Sequence, residues 1–459
     1  MIHGRNGIAI ITPHTAPSIA LRIIPRDAHP ISRRDISPNA LRVLYRLRDA
    51  GFSACLVGGA VRDLLVGQQP KDFDVATDAT PEQVRQLFRN CRLIGRRFRL
   101  AHVVFGPEII EVATFRANSD DGSGGREMDN GRLVRDNIYG SIEEDAVRRD
   151  FTANALYYAI EDFSVRDYVG GYEDVLARRM RLIGDPEQRY REDPVRMLRA
   201  VRLAAKLGFE IDAATAEPIP RLASLLAEAA PARLFEEILK LFLSGHAVAS
   251  FEGLERFGLL SVLLPETAAA LASNRSGALR RMLVEGLRGT DERIARDEPA
   301  SPAFLFALLL WPAYCRALTG LQAQGVNPED AARRAADRVT VHQLQSVALP
   351  RRFSLPMQEI WLLQSRFSTR QRRRVMRLLA HPRFRAAFDF LVLRLVASDT
   401  HAADVEFWHE AQTQDGEQLA QTLGVAPPPD SYIGDEDAPP SKRRRRRRRR
   451  SGDASPAAE

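Results

Sequence analysis

The run KDFDVAT, Lys71–Thr77, sets two aspartates on either side of a phenylalanine and continues as Val-Ala-Thr. Side chains at i and i+2 of a strand point to one face. If Phe73 and Val75 enter a core, Asp72 and Asp74 must therefore stand side by side on the other face. A chain carrying this element has to build a sheet whose edge or end lets two carboxylates meet water or a cation. Mg²⁺ favours hard oxygen ligands, and in phosphate-processing sites it takes one or two carboxylates and completes its shell with substrate phosphates. Alone, such a pair is an ordinary solvated strand edge; its neighbours change the reading.

Upstream, CLVGGAVRD runs from an apolar strand through Gly58 and Gly59 into a helix-compatible stretch. The glycines permit close approach to the backbone, a helix start offers N–H groups to phosphate oxygens, and Arg62 is expected to reach the same anion. The pattern is neither a Walker A loop nor GxGxxG, so the familiar nucleotide folds are disfavoured. Downstream, EIIEVATF places Glu111 in an otherwise apolar strand, where an unpaired carboxylate is costly. It is expected either beside the aspartate pair or in an ion pair with arginine. Two arginine-acid clusters follow: EEDAVRRDFTANAL, with Arg149 and Asp150, and REDPVRMLRAVR, with Asp193, Arg196 and Arg199 spaced by three so as to share a helix face. Surface salt bridges explain either cluster taken alone. Together with the acidic pair and the glycine turn they point to nucleotidyl transfer, in which metal activates a hydroxyl and pyrophosphate leaves. An aspartate and an arginine on one helix face would offer an acceptor and donors to a base edge, selecting the nucleotide without a template.

The texture of the chain sets the frame for this chemistry. Residues 1–36 read as an N-terminal extension. From 37 to 165, short β-branched runs (FSACLVGG, DFDVAT, AHVVFG, EIIEVATF) alternate with helical patterns such as PEQVRQLFRN. Residues 166–255 turn helical, with DPVRMLRAVRLAAKLG closed by Gly208, and helices dominate again over 256–423. The first of these units, 37–165, reads as α/β or α+β, and the two that follow as helical. Residues 424–459, rich in proline and charge, are expected to be disordered. The net charge of +7 is local: of 66 basic residues, nine are Lys442 and Arg443–Arg450, which leaves 57 against 59 acidic. Three scattered cysteines without a CxxC pair argue for a reducing, cytoplasmic setting and against structural zinc. No apolar run approaches the roughly 20 residues of a membrane span; AFLFALLLW, Ala303–Trp311, reads as a buried helix.

LVGGAVRD, KDFDVAT, RRDFTANAL and REDPVRMLRAVR, in this order, resemble the nucleotidyltransferase class that contains bacterial poly(A) polymerases and CCA-adding tRNA nucleotidyltransferases. The resemblance implies an α+β fold: a small catalytic head over 37–165 built on a mixed sheet of five strands or so, an all-helical neck over 166–255 that binds nucleotide and RNA, and a helical, RNA-binding body over 256–423. It implies Mg²⁺ or Mn²⁺ on Asp72 and Asp74 and an active-site role for Asp150, beside which Glu111 is the third acid that the strand pattern offers. It also implies nucleotide contacts from Gly58, Gly59, Arg62, Asp193 and Arg196, assisted by Arg149 and Arg199. Ala153 stands where the class usually has isoleucine, a change of packing rather than chemistry. LIGRRFRLAHVVFG and HPRFRAAFDFL are similar to the polymerase branch, so the expected reaction is addition of AMP from ATP to RNA 3′ ends. CCA addition and a non-catalytic RNA-binding protein are the alternatives. Eleven arginines lie between Arg351 and Arg394 against only Glu359 and Asp389, with Phe353, Trp361, Phe367 and Phe384 interleaved. Arg372, Arg373, Arg374, Arg377, Arg383 and Arg385 are the expected RNA contacts, arginine on phosphate and aromatic ring on base. A solvated basic face over core aromatics is the other reading.

Overall fold

The computed structural model describes residues 21–95, 99–117, 126–129, 132–136 and 138–414. Helix α1, Pro38–Asp49, starts where the Ser37 hydroxyl accepts from the N–H groups of Asn39 and Ala40 and Pro38 takes the first turn. Its stripe Ala40, Val43, Leu44 and Leu47 is buried, and the chain passes into the wholly buried strand β2, Ala54–Val57. Strand β1, Arg22–Ile24, precedes them. Helix α2, Gly59–Leu65, leads to strand β3, Asp74–Thr77, and to helix α3, Pro81–Leu87, which opens with a reciprocal Thr80–Gln83 capping box. A meander of β4 (Cys91–Ile94), β5 (Leu100–Phe105) and β6 (Glu108–Thr114) follows. After a separate hairpin, β7 (Arg126–Asp129) and β8 (Arg132–Asp136), come helix α4 (Ile142–Arg148) and strands β9 (Leu156–Ala159) and β10 (Val165–Asp167).

Among the described residues the head sheet has eight strands in the order β1-β10-β9-β2-β3-β6-β5-β4, with β3 and β6 parallel and the other neighbours antiparallel. This is a mixed sheet, as expected, but wider than the five strands or so that the resemblance implies. Part of the difference comes from residues 21–36, which are not an appendage. β1 pairs with β10, and Ile24, Ile31 and Ile36 are buried in the head core. Residues 1–20 and the arginine-rich tail, 424–459, lie outside the described residues.

The rest is helical. Helix α5, Gly171–Leu176, closes the head; α6, Pro186–Glu192, and α7, Val195–Leu207, form the neck. Gly208 ends α7 in the left-handed conformation at φ 64°, as its place after the helical pattern requires. One apolar core runs from Phe151 and Leu182 through α7 to Trp361 and Phe390, passing residue 255 without a break. A second cluster, including Phe367, Phe384, Phe388 and Trp408, forms the last described unit. The apolar run at Ala303–Trp311 is buried, as expected. It forms the helix Pro302–Leu309 and the bend into Trp311–Ala323, at 53°. No single described helix is long and apolar enough to cross a membrane.

Candidate active site

The strand register sets two of the expected acids, Asp74 and Glu111, side by side, with Asp72 two residues ahead of the first. β3 begins at Asp74, so Asp72 lies in the lead-in rather than in the strand, while Phe73 and Val75 are buried as the alternation demands. Asp74 pairs with Val57, the residue before the glycine turn, on one side, and with Glu111 of β6 on the other. The sheet thus sets the glycine turn, Asp74 and Glu111 on three adjacent strands. His102, directly across from Glu111 on β5, places Nε2 3.3 Å from its Oε2. Asp72 and Asp74 are exposed, but the protein crowding around Asp74 withdraws water from it. That loss of hydration, with the charge of Glu111 next, pushes its carboxyl up to about 6, against the pull of Arg149. Acids crowded in this way favour a cation. Among the described residues, however, no three His, Cys, Asp or Glu side chains are gathered into a metal-binding group.

Gly58 turns the chain at φ 74°, ψ −134°, a conformation open essentially to glycine alone. A Cβ there would lie 3.7 Å from Arg149 Nη1, so the arginine packs against the turn. Arg62 does not reach outward as the sequence led us to expect. It is buried, giving Nε and Nη2 to Asp63 Oδ1 at 2.9 and 2.6 Å and Nη1 to Asn154 Oδ1. Its guanidinium sits beneath Gly59, where a Cβ would meet Nη2 at 3.4 Å. It lends positive potential to the turn instead of a free fork.

The RRD segment leaves the end of α4. Arg149 donates to Asp145 Oδ2 from Nε at 3.0 Å and Nη2 at 2.9 Å, and Nε also reaches the Tyr157 hydroxyl at 3.0 Å. That hydroxyl in turn donates to Asp145 Oδ2 at 2.7 Å. Burial alone would weaken the basicity of Arg149; Tyr157 and Asp145 outweigh it and hold the charge in place. Asp150 Oδ2 accepts Nε of Arg199 at 2.8 Å and Nη2 at 2.5 Å, while Oδ1 accepts the Phe151 N–H at 2.8 Å and Asn154 Nδ2 at 3.4 Å. Burial would raise this carboxyl, but Arg199 holds it below the ordinary carboxylate range. Asp150 therefore joins head to neck through its two hydrogen bonds from Arg199, while Oδ1 stays within the RRD segment, and none of the four runs to Asp72 or Asp74.

The neck triad does not share one helix face. α6 ends at Glu192, and α7 starts at Val195. Asp193, in extended conformation ahead of Pro194, gives both carboxylate oxygens to Arg233, at 2.9 and 2.7 Å, from the helix Pro231–Phe242. Arg196 Nη1 donates to the Arg189 carbonyl at 2.8 Å and to Glu192 Oε2 at 3.1 Å, while Arg199 turns to Asp150. Sequence reasoning missed Asn154, Tyr157, His102, Arg189 and Arg233. The first lies inside a quoted motif, and His102 was reachable from strand alternation opposite Glu111. Arg233 carries no local signal, because its partner is distant in the chain.

Family models match three successive parts of the chain: "Poly A polymerase head domain" over residues 54–181, "Probable RNA and SrmB- binding site of polymerase A" over 208–271, and "Polymerase A arginine-rich C-terminus" over 324–451. Poly(A) polymerase I of Salmonella typhi is 52% identical over 411 residues, 88% of this chain and 87% of that protein. The chain belongs to the poly(A) polymerase I family. The likeness to the CC-adding tRNA nucleotidyltransferase of Halalkalibacterium halodurans is 38% over 49% of this chain and 54% of that protein. In fold, the poly(A) polymerase chain is also similar to the Bacillus stearothermophilus CCA-adding enzyme in complex with CTP. The TM-score is 0.55 at 25% identity, covering 86% of this chain and 90% of that one.

In this poly(A) polymerase the expected RNA arginines fall into two groups. Arg372, Arg373, Arg374 and Arg377 lie on the helix Arg372–Leu379, whose Val375 and Leu378 are buried, and no acid pairs with the four among the described residues. Arg383 pairs with Glu359 at 3.1 Å and Arg385 with Asp389 at 3.1 Å. The interleaved aromatics are not stacking platforms. Trp361, Phe367 and Phe384 are buried and Phe353 is packed against Phe235, with Trp361 Nε1 donating to the Ala307 carbonyl at 2.9 Å. The core reading holds for the rings.

Proposed function

We propose that the cluster formed by the Gly58-Gly59 turn, Asp72, Asp74, Glu111 and Arg149 is the nucleotidyl-transfer site of a polynucleotide adenylyltransferase, adding AMP from ATP to RNA 3′ ends with release of pyrophosphate. The observation that carries this reading is the register placing Val57 and Glu111 on either side of Asp74, which sets a phosphate-compatible turn and crowded acids side by side. Asp72 and Asp74 fit Mg²⁺ or Mn²⁺: the donors are hard oxygens, and the Asp74 carboxyl, raised first by lost hydration and then by the charge of Glu111, is one that a cation would stabilise in its ionised form. Asp72 and Asp74 would hold such an ion, which when bound would supply Lewis-acid charge to the triphosphate and the attacking hydroxyl.

The chain's own residues do the rest. Arg149, fixed by Asp145 and Tyr157 against Gly58, sets positive charge at the turn where phosphates would lie. Asp150 orients the RRD backbone through Arg199, and Asp193 with Arg196 presents an acceptor and donors to the base. Arg372, Arg373, Arg374 and Arg377 bind RNA phosphates, with Arg383 and Arg385 released from Glu359 and Asp389 as RNA replaces those acids. Head, neck and body keep the expected order, with the head extended to take in β1, β10 and α5 and the core continuous across 255. The unpaired cysteines, Cys55, Cys91 and Cys315, suit a cytoplasmic enzyme.

Incubating the full chain with labelled RNA and each nucleoside triphosphate in turn tests the reaction. Long A-only products are expected. Addition confined to C-C-A on tRNA lacking its end would assign the chain to the CCA-adding branch. Activity surviving in both Asp72→Asn and Asp74→Asn would remove the acids from the chemistry.

A further inference from the structure

The RRD segment hangs from the neck by a residue outside every motif. Arg189, in α6, is mostly buried, and its Nη2 donates to the carbonyls of Arg148 at 2.9 Å and Arg149 at 2.6 Å. Arg148 ends α4 and Arg149 caps it, so these carbonyls lie beyond the helix's own hydrogen-bond ladder, and a cation there also meets the negative end of the helix dipole. The other side of Arg189 faces the base-reading pair. Its own carbonyl accepts Arg196 Nη1 at 2.8 Å and the Asp193 N–H at 3.2 Å. Its Nη1 shares Glu192 Oε2 with Arg196, at 3.0 and 3.1 Å. One residue thus grips the backbone that carries Arg149 and Asp150 while serving as the seat of Asp193 and Arg196. Its Nε is buried without a partner, so the side chain is placed by the two carbonyls and Glu192 alone.

We infer that Arg189 is a positioning residue that couples base recognition to the catalytic loop. A base engaged by Arg196 fixes Glu192 and the Arg189 carbonyl, and the guanidinium then sets the exit of α4 and with it the Arg149 charge against Gly58. A base that fails to engage Arg196 leaves the loop less well placed. Discrimination is therefore expressed in turnover as well as in binding. The inference rests on the proposed roles of Asp193, Arg196 and the Asp74 site.

Kinetics of the full chain with an RNA primer, with ATP and with CTP, test it. In Arg189→Gln, kcat with ATP should fall by about 10²-fold, the cost of a misplacement on the order of 1 Å, with KM for ATP little changed. The ratio of kcat for ATP to kcat for CTP should shrink. Arg189→Lys, which keeps the charge without the planar fork, should recover part of both. Proportional loss with the two nucleotides, or unchanged kcat in a variant that melts like the parent, overturns the coupling. Should Arg189→Gln fail to fold, Arg189→Lys decides alone: parental kcat and parental discrimination refute the inference. Asp74→Asn, run in parallel, separates the two levels. Loss of activity there with unaltered Arg189 variants sinks only the coupling, and activity retained there sinks the site itself.

Discussion

Replacing Arg199 with methionine removes the neck's hold on Asp150 while keeping an apolar stem of similar length. Two charge-assisted hydrogen bonds to Asp150 Oδ2 disappear, at 2.8 and 2.5 Å. Each is worth about 1.5–3 kcal/mol, and breaking a fully buried pair costs about 3–5 kcal/mol. Two features lower the figure here: Arg199 keeps 34% of its side-chain surface in water, and Asp150 Oδ1 retains the Phe151 N–H and Asn154. A destabilisation of about 2–3 kcal/mol is expected. The pH dependence is more telling than the size. In the parent, Asp150 sits below its ordinary value of 3.8, so its contribution is full above that value and is lost as pH falls through the depressed one. Without Arg199, burial dominates and the carboxyl rises above 3.8, so the folded state holds the proton longer than the unfolded chain and stability falls as pH rises through that window. Urea unfolding across the acidic range, followed by circular dichroism, should therefore show the difference between the two proteins growing with pH. A difference independent of pH would refute the electrostatic account of this ion pair, and a variant as stable as the parent would refute the pair itself.

Asp72→Asn and Asp74→Asn should each cost several kcal/mol of transition-state stabilisation with melting unchanged, measured as kcat/KM with ATP. Because Asp74 ionises near 6, Mg²⁺-dependent turnover should drop as pH falls through about 6; equal Mg²⁺ requirements on both sides of that value would remove Asp74 from the metal. Tyr157→Phe strips Asp145 of a 2.7 Å donor and should cost about 1–3 kcal/mol in unfolding free energy, with a parallel loss of turnover as Arg149 loosens. Changing Arg372, Arg373, Arg374 and Arg377 together to glutamine should leave melting unchanged and lower the salt slope of RNA binding by up to about 0.7 for each phosphate no longer neutralised; an unchanged slope excludes that face.

What was legible in the sequence was local. Strand alternation placed Phe73 and Val75 inside and the aspartates outside, and Gly208 marked the end of α7. What escaped was either non-local or hidden by an assumption of continuous helix. β1 pairs with β10 across most of the head, and a three-residue strand has no periodicity to betray it. Asp193, Arg196 and Arg199 were placed on one face by spacing, yet Pro194 forces the preceding residue out of helical conformation and gives Asp193 its own direction. The signal was in the motif itself. Arg62 was read as an anion binder because it follows a glycine turn whose helix start offers N–H groups to phosphate; here Asp63 and Asn154 satisfy it, so it can be buried. Met357, Ile360 and Trp361 recur at helical spacing and are all buried, the pattern that identifies Trp361 as core rather than as a base platform.

The pairing of the base-reading residues with internal partners constrains how an adenine could be chosen. Arg233 occupies both oxygens of Asp193, and Arg196 is engaged by Glu192 and the Arg189 carbonyl. An incoming base then exchanges hydrogen bonds instead of adding them, and exchange yields little net affinity. It can still yield large discrimination. A base whose edge matches the displaced partners leaves every group satisfied, whereas a mismatched base leaves a partly buried charge unpaired, a far greater penalty than a missing hydrogen bond. Selectivity in such a site comes from the cost of wrong partners, and the residues that set the cost are Glu192, Arg189 and Arg233, not only the two proposed to touch the base. Arg233→Ala should therefore relax ATP preference while lowering ATP affinity only modestly, read from competition between ATP and CTP for the same primer. If preference is kept and affinity alone falls, Asp193 reads the base without help from its partner.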